Sequence, residues 1–358
     1  MKIIFLLPCL EICGGIRVVF EYANRLKVRG HKVLIFYPLF PLNFGEKWIN
    51  LRMHIHKIRI FFDNLRKGNK IDWFNVEVPV IGIPSLSERY IPDGDVVIAT
   101  AWPTAYYVNR YHFKKGRKVY FIQHYEVVMG VESLVNETYK FNLHQLVIAS
   151  WLKELMIEKF NKKEPYLVPN GVNLGQFYNG NKIYNKNKRI LMLYSLYEWK
   201  GAKDGIKAFE LARTKHSGIK LVLFGTHKDK DIPLYAEFHL APQGEDLRKL
   251  YCSCDIFLFP SWTEGWGLPP MEAMACKCAV VATNVGGILY YTIPGKTALI
   301  SSPKEPEALA KNLLSLLDDE EKLKRISEEG YNYIKQFTWE KSTEQFERAL
   351  NEIIAEKC

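Results

Sequence analysis

The chain has 358 residues, 48% of them hydrophobic, and a formal net charge of +10. That length predicts two domains, and the apolar content is enough for a core in each. The positive balance suits phosphates or acidic lipid, but no Lys/Arg block is long enough for a nucleic-acid tail, so no nucleic-acid partner is expected.

No run of about 18 apolar residues occurs, so no transmembrane helix is expected. The cysteine count is odd, seven scattered along the chain. This argues against a disulfide framework and for a reducing, cytoplasmic compartment.

The opening Met1-Lys-Ile-Ile-Phe-Leu-Leu-Pro-Cys-Leu10 is apolar, but Glu11 and Gly14-Gly15 follow at once. A buried strand from Lys2 to Leu7 fits better than a secretion signal. Val18, Val19, Tyr22, Ala23 and Leu26 recur at helical spacing and predict a helix from Ile16 to Arg29, closed by Gly30. A second strand runs from His31 to Tyr37. This is a βαβ unit whose Gly14-Gly15 turn can bring backbone amides against a phosphate. The dinucleotide fingerprint G-x-G-x-x-G is absent.

Residues 57–74 are basic and aromatic: Lys57, Arg59, Phe61, Phe62, Arg66, Lys67, Lys70, Trp73 and Phe74. Two readings stay open, a solvated charged face or a patch that docks on an anionic membrane surface. Pro92-Asp-Gly-Asp95 contains Asp-x-Asp, but in a Pro/Gly setting just before the strand Val96–Thr100. It reads as a turn, and no metal is expected.

The strand Lys118–Gln123 delivers Gln123-His124-Tyr125-Glu126 to its C-terminal end, where open α/β sheets place ligands. A helix from Glu132 to Phe141 and a strand from Gln145 to Ser150 follow, with Ser150 as the cap of the next helix. A polar linker spans Asn179 to Lys188, and the domain boundary is placed between Asn170 and Lys188. A second βα series starts with Arg189–Ser195. The strand Lys220–Gly225 ends in glycine, Ala241-Pro-Gln-Gly244 turns, and Glu245–Tyr251 is an amphipathic helix. After the strand Cys278–Thr283 comes Gly286-Gly287. Helices are predicted over Glu305–Leu317, Asp319–Lys335 and Glu340–Ile354. Two Cys-x-Cys pairs, Cys252/Cys254 and Cys276/Cys278, have no histidines at finger-like spacing and read as small buried thiols.

One stretch organises the rest: Pro260-Ser-Trp-Thr-Glu-Gly-Trp-Gly-Leu-Pro-Pro-Met-Glu-Ala-Met-Ala275, entered from the strand Asp255–Phe259. Pro269 and Pro270 suit the first turn of a helix. The pattern is strand, Gly-rich loop, helix start, which aims backbone N–H groups at one point and suits a phosphate. Glu264 and Glu272 flank that point with seven residues between them. A carboxylate pair beside a phosphate site can grip the hydroxyls of a sugar.

This stretch resembles the signature of retaining GT-B glycosyltransferases, more narrowly family 4. The resemblance implies an α/β fold of two Rossmann-like domains facing across a cleft. The domains would be 1–170 on the acceptor side, joined by a C-terminal helix 340–358 that returns to it, and 171–339, which binds the donor. It implies transfer of a sugar from a nucleotide-diphosphate sugar to a hydroxyl of a glycan or lipid-linked acceptor, with retention, and no cofactor. Glu272 would hold the ribose and Glu264 the sugar hydroxyls. The amides of Gly265, Trp266, Gly267 and Leu268 would face sugar and phosphate, and Gly225 would frame the base. Lys200, in Tyr197-Glu-Trp-Lys-Gly201, would neutralise the leaving diphosphate. Gly15 would approach it from the first domain, and His124 would lie near the transferred sugar. Nothing stands out as a nucleophile, which is consistent with a front-face reaction.

The chain departs from the family pattern in three places. Tyr194-Ser195 stand where the family usually carries an arginine, and Lys277 and Tyr290 stand where it commonly has Gly and Glu. Two other readings are a non-catalytic nucleotide-sugar-binding protein and a GT-B epimerase, for which Glu126 is the only acid/base candidate. The expected location is cytoplasmic, and peripheral on the inner membrane face if the 57–74 patch binds lipid.

Overall fold

A computed structural model describes residues 1–42 and 71–356. The chain divides into two compact units, Met1–Pro169 with Glu340–Cys358, and Asn170–Trp339.

Among the described residues the first unit holds seven parallel strands: β1 (Lys2–Leu6), β2 (Lys32–Pro38), β3 (Val80–Ile83), β4 (Val96–Ala99), β5 (Arg117–Ile122), β6 (His144–Val147) and β7 (Tyr166–Leu167). Their order is β3-β2-β1-β4-β5-β6-β7. Strands covered on both faces read as continuous apolar runs, and Ile3–Leu6 and Val96–Ala99 are fully buried. Its helices among the described residues include α1 (Gly14–Val28), α2 (Trp102–Arg110), α3 (Glu132–Lys140) and α4 (Ser150–Phe160). The final helix, Trp339–Ala355, inserts Phe346 among Phe5, Tyr22 and Phe121, with ring centroids 6.1, 4.5 and 5.4 Å away.

The second unit holds β8 (Arg189–Leu193), β9 (Lys220–Gly225), β10 (Glu237–Leu240), β11 (Ile256–Phe259), β12 (Ala279–Thr283) and β13 (Leu299–Ser301), ordered β10-β9-β8-β11-β12-β13 and all parallel. Its helices are α5 (Ala202–Lys215), α6 (Gly244–Cys252), α7 (Leu268–Ala275), α8 (Ile288–Tyr291), α9 (Pro306–Leu317) and α10 (Glu320–Ile334). Each sheet reverses its winding once, between β1 and β4 in the first unit and between β8 and β11 in the second. In open α/β sheets the crevice at the strand C-termini beside such a reversal is where ligands sit.

Several local expectations change. Ser150 is the first residue of α4 rather than its cap, and Ala149 takes the cap position without a side-chain bond. Short strands β3, β10 and β13 and helix α2 were not anticipated. Most of the basic stretch 57–74 lies outside the described residues. Its last two aromatics, Trp73 and Phe74, pack on Phe20 of α1 at 5.4 and 5.6 Å. The Asp-x-Asp carboxylates serve the entrance to β4, where Asp95 accepts the Lys2 N–H at 2.6 Å and Asp93 pairs with Lys115 at 2.9 Å. Among the described residues, no helix is long and apolar enough to cross a membrane.

Candidate functional site

The winding reversal of the second sheet places two loops side by side. One follows β8 and carries Lys200, and the other follows β11 and carries Glu264. Glycine lets them touch. Gly201 has φ +65°, and a Cβ there would stand 2.0 Å from the Pro260 carbonyl oxygen. The Trp262 N–H then donates to the Trp199 carbonyl at 2.7 Å, and the Trp262 indole donates to Asp204 at 2.6 Å. Thr283 donates to the Ser261 carbonyl at 2.5 Å and so anchors the base of the Glu264 loop.

The two loops bring Lys200 and Glu264 together. Lys200 Nζ lies 2.7 Å from Glu264 Oε1, and the same oxygen accepts from Ser261 Oγ at 2.8 Å. Glu264 is buried and Lys200 half-buried, so the pair is shielded more than a surface ion pair, with water on one side only.

Beyond Glu264 the chain enters α7 through Gly267, whose φ is +93°. Its carbonyl accepts from Tyr291 Oη at 2.5 Å. Gly286, at φ +60°, lies so close that a Cβ would stand 2.6 Å from the Glu264 carbonyl oxygen. Gly286-Gly287 therefore backs the site loop instead of facing a ligand. The Trp266 indole is buried, donates to Met271 Sδ at 3.0 Å and packs on Tyr290 at 5.3 Å. What Trp266 can offer a ligand is its backbone amide. Among the described residues the N–H groups of Trp266, Gly267 and Leu268 have no acceptor within the protein. Pro269 and Pro270 remove two of the first-turn donors of α7, so the donors this stretch can offer an anion are these loop amides more than the helix turn itself.

Glu272 is buried one turn further on, and its Oε2 accepts from Tyr251 Oη at 3.0 Å. Burial, then the charges of Glu264 and Glu272, hold the hydroxyl of Tyr291 far above its ordinary range. Gly225 ends β9 where a Cβ would stand 2.3 Å from the Tyr194 carbonyl oxygen, and its own carbonyl accepts from Ala241 at 2.7 Å. Ser261, Tyr251 and Tyr291 had been given no role from sequence. Ser261 precedes Glu264 by three residues, the one local signal available.

Two of the departures from the family pattern have physical explanations. Lys277 adopts the left-handed φ of 58° that glycine tolerates best. Its side chain offsets part of that strain, since Nζ pairs with Glu328 at 3.3 Å and sits 4.6 Å over Tyr331. Tyr290 packs on Trp266 and Phe337. At the arginine position, Tyr194 is buried and meets Phe238 edge-on at 6.3 Å.

In the first unit, Gly15 and His124 share the C-terminal edge of the sheet. Gln123 Nε2 donates to the Gly15 carbonyl at 3.1 Å, and Gln123 Oε1 is buried without a partner among the described residues. His124 Nδ1 lies 2.8 Å from the Tyr125 carbonyl. A carbonyl only accepts, so Nδ1 carries the proton. Glu126 is turned inward. Its Oε2 accepts from the Trp102 N–H at 2.7 Å and from Tyr120 Oη at 2.8 Å. Burial pushes its carboxyl up to about 7. The side chain closes the N-terminus of α2, so the one acid/base candidate of the epimerase reading is engaged in holding that helix start.

Residues 177–333 match the family model described as glycosyl transferases group 1. The O-antigen chain mannosyltransferase B of Escherichia coli is 36% identical over 101 residues, 28% of this chain and 26% of the relative. The D-inositol 3-phosphate glycosyltransferase of Corynebacterium efficiens is 32% identical over 114 residues, 32% of this chain and 27% of the relative. The chain thus spans about a quarter of the length of the first curated relatives it matches. Among solved structures, Anabaena HepE, in complex with UDP and glucose, superposes with a TM-score of 0.75 at 16% identity, covering 98% of this chain and 99% of that one. The fold class is GT-B, two parallel-sheet Rossmann-like halves.

Proposed function

We propose that the protein is a retaining glycosyltransferase of family 4 type that moves a sugar from a nucleotide-diphosphate sugar to a hydroxyl of a glycan or lipid-linked acceptor. The observation that carries this reading is the Lys200–Glu264 pair, 2.7 Å apart at the winding reversal of the second sheet, beside the open amides of residues 266–268. A cation and amide donors suit a diphosphate, and buried carboxylates suit sugar and ribose hydroxyls. HepE, bound to UDP and glucose, has the same fold, and the group 1 family match covers this part of the chain.

In the mechanism, Glu272 takes the ribose hydroxyls and Gly225 lets the base approach the end of β9. Lys200 and the amides of Gly265, Trp266, Gly267 and Leu268 stabilise the charge that grows on the diphosphate as the anomeric C–O bond breaks. Glu264 orients the sugar. The acceptor oxygen bonds to the same face of the anomeric carbon, and its proton passes to the leaving phosphate oxygen. Gly15 and His124 are assigned to the acceptor-side unit, His124 near the transferred sugar. No metal or cofactor takes part. The protein works in the cytoplasm, and association with an anionic membrane surface would come from the basic stretch 57–74.

The test is a thermal-shift screen against UDP, GDP, dTDP, ADP and their common sugar derivatives, followed by turnover of Lys200→Ala with the sugar form that binds. One base should stand out, and losing Lys200 should lower kcat by about 10²–10³. No response to any nucleotide, or unchanged turnover in the variant, refutes the assignment.

A further inference from the structure

The loop after β8 carries, just before Lys200, two aromatic rings that the donor chemistry leaves unused. Tyr197 and Trp199 stack with ring centroids 4.5 Å apart and planes 19° from parallel. Tyr197 is 61% exposed and Leu196 before it 56%, while Trp199 is half-buried. Among the described residues neither the Tyr197 hydroxyl nor the Trp199 indole N–H has a hydrogen-bond partner. The pair is a flat apolar ledge with unspent polar groups at its edge, the kind of exposed patch that marks a ligand surface.

Backbone bonds hold the ledge in place. Ser195 Oγ accepts the Tyr197 N–H at 3.3 Å. The Lys200 N–H donates to the Tyr197 carbonyl at 3.0 Å and the Gly201 N–H to the Glu198 carbonyl at 2.9 Å. The Trp199 carbonyl takes the Trp262 N–H at 2.7 Å. Trp262 braces the ledge from below, its indole spent on Asp204 and its ring covered by Lys304 Nζ at 4.5 Å. A surface fixed in advance loses little freedom when a ligand binds.

Position selects the ligand. Both ties of this loop, Gly201 on Pro260 and Trp199 on Trp262, run to the segment after β11. In the sheet, β11 and β9 flank β8 on opposite sides, so the loop is tied away from the end of β9, where the base is assigned. Burial falls outward from Glu264 through half-buried Lys200 to exposed Tyr197. The donor's sugar belongs at the buried end, on Glu264. The exposed end suits a ring that arrives from solvent. A pyranose fits it, because the C–H groups of one face lie flat on an aromatic ring while the hydroxyls reach the polar edge. A lipid chain would leave that edge unused. We propose that Tyr197 and Trp199 are a subsite for a sugar ring of the acceptor, which makes the acceptor a saccharide where it meets the second unit. The inference rests on the reading of Lys200 and Glu264 as the donor site.

The experiment labels the full chain with 5-fluorotryptophan and identifies the Trp199 resonance as the one lost in Trp199→Phe. That resonance is titrated with the methyl pyranosides of glucose, galactose, mannose, rhamnose and N-acetylglucosamine. At least one should move it saturably. Tyr197→Ala should weaken that glycoside by about threefold or more, and Tyr197→Phe, which keeps the ring, by less than about twofold. Phe113→Ala, which removes an exposed ring of the first unit, should leave the titration unchanged. The thermal shift given by UDP, GDP, dTDP and ADP, measured in parallel on Tyr197→Ala, should be retained, because a merely structural stack would loosen Lys200 and lower it. A Trp199 resonance that ignores every glycoside overturns the proposal, including the case in which only a nucleotide or nucleotide sugar moves it and the ledge serves the donor. Equal weakening by Tyr197→Ala and Phe113→Ala, or a nucleotide shift lost in Tyr197→Ala, overturns it as well. Failure of the donor reading shows separately: no nucleotide then moves the melting temperature of the unsubstituted chain, while the glycoside titration still decides whether the ledge binds a sugar.

Discussion

Glu126→Gln isolates one buried charge. Both hydrogen bonds to Glu126, from the Trp102 N–H and from Tyr120 Oη, end on Oε2. A glutamine can place its carbonyl oxygen there and keep both, so the substitution removes charge without removing bonds. Burial raises the carboxyl from its ordinary 4.5 to about 7. At about 1.4 kcal/mol for each pH unit of displacement, the folded state holds the neutral acid more favourably than the charged one by about 3 kcal/mol. The sign follows from the raised value. Stability from this group is fully present below pH about 4.5 and is lost as pH rises through about 7. Urea unfolding of the first unit, followed from pH 5 to pH 8.5 in both proteins, is the assay. Other groups titrate equally in both, so the difference between the curves belongs to Glu126. The wild type should lose about 2.5 kcal/mol relative to Glu126→Gln across the window. Parallel curves would show that the carboxylate is not desolvated, and the inward placement of Glu126 would be wrong.

Two further substitutions probe the second unit. Gly286→Ala puts a methyl 2.6 Å from the Glu264 carbonyl oxygen at a φ of +60°, so it should destabilise by about 1–3 kcal/mol and weaken the nucleotide response. Gly180→Ala, at a glycine with open space around it, should change neither, and equal effects of the two would remove the argument that Gly286 shapes the site loop. Ser195→Arg restores a cation at the end of β8 and should tighten a bound nucleoside diphosphate by about 1–2 kcal/mol, roughly five- to thirtyfold, without tightening the uncharged nucleoside. Isothermal titration that finds no gain would mean the diphosphate does not pass this point.

Strands were legible where both faces are covered, because such segments must be apolar throughout, as Ile3–Leu6 and Ile256–Phe259 are. Edge strands escaped for the opposite reason. Glu237-Phe-His-Leu240 alternates only weakly between half-buried and exposed, and β13 has only three residues. Helix α2 opens with Trp102-Pro103 and is tied down by Thr104 Oγ1, which accepts from the N–H groups of Thr100 at 3.0 Å and Ala101 at 3.1 Å, a pattern with no usual cap residue to announce it. In the site, Lys200 and Glu264 carry local motifs. Their supports do not. Tyr251 meets Glu272 across 21 residues and Tyr291 meets Gly267 across 24, contacts that folding creates and no spacing rule encodes. Glu126 shows the converse. Its position after β5 suggested a ligand-facing group, but α2 begins at an alanine that cannot cap it, and the carboxylate turned inward to accept the Trp102 N–H.

On the proposed function, the arrangement around Lys200 links recognition of the two ends of a nucleotide sugar. With Tyr194-Ser195 in the arginine position and two prolines in the first turn of α7, Lys200 is the cation that the site loops themselves bring to Glu264. That cation is paired with Glu264 at 2.7 Å. A diphosphate that takes Lys200 leaves a buried carboxylate holding only the Ser261 hydrogen bond, a costly state, since breaking a buried pair from one side costs about 3–5 kcal/mol. Sugar hydroxyls donated to Glu264 offset that cost, and a bare nucleoside diphosphate cannot supply them. The complete nucleotide sugar should therefore bind more tightly than its diphosphate. Discrimination against the spent donor would then follow from the same ion pair that prepares the site, helping the product leave once the sugar has moved.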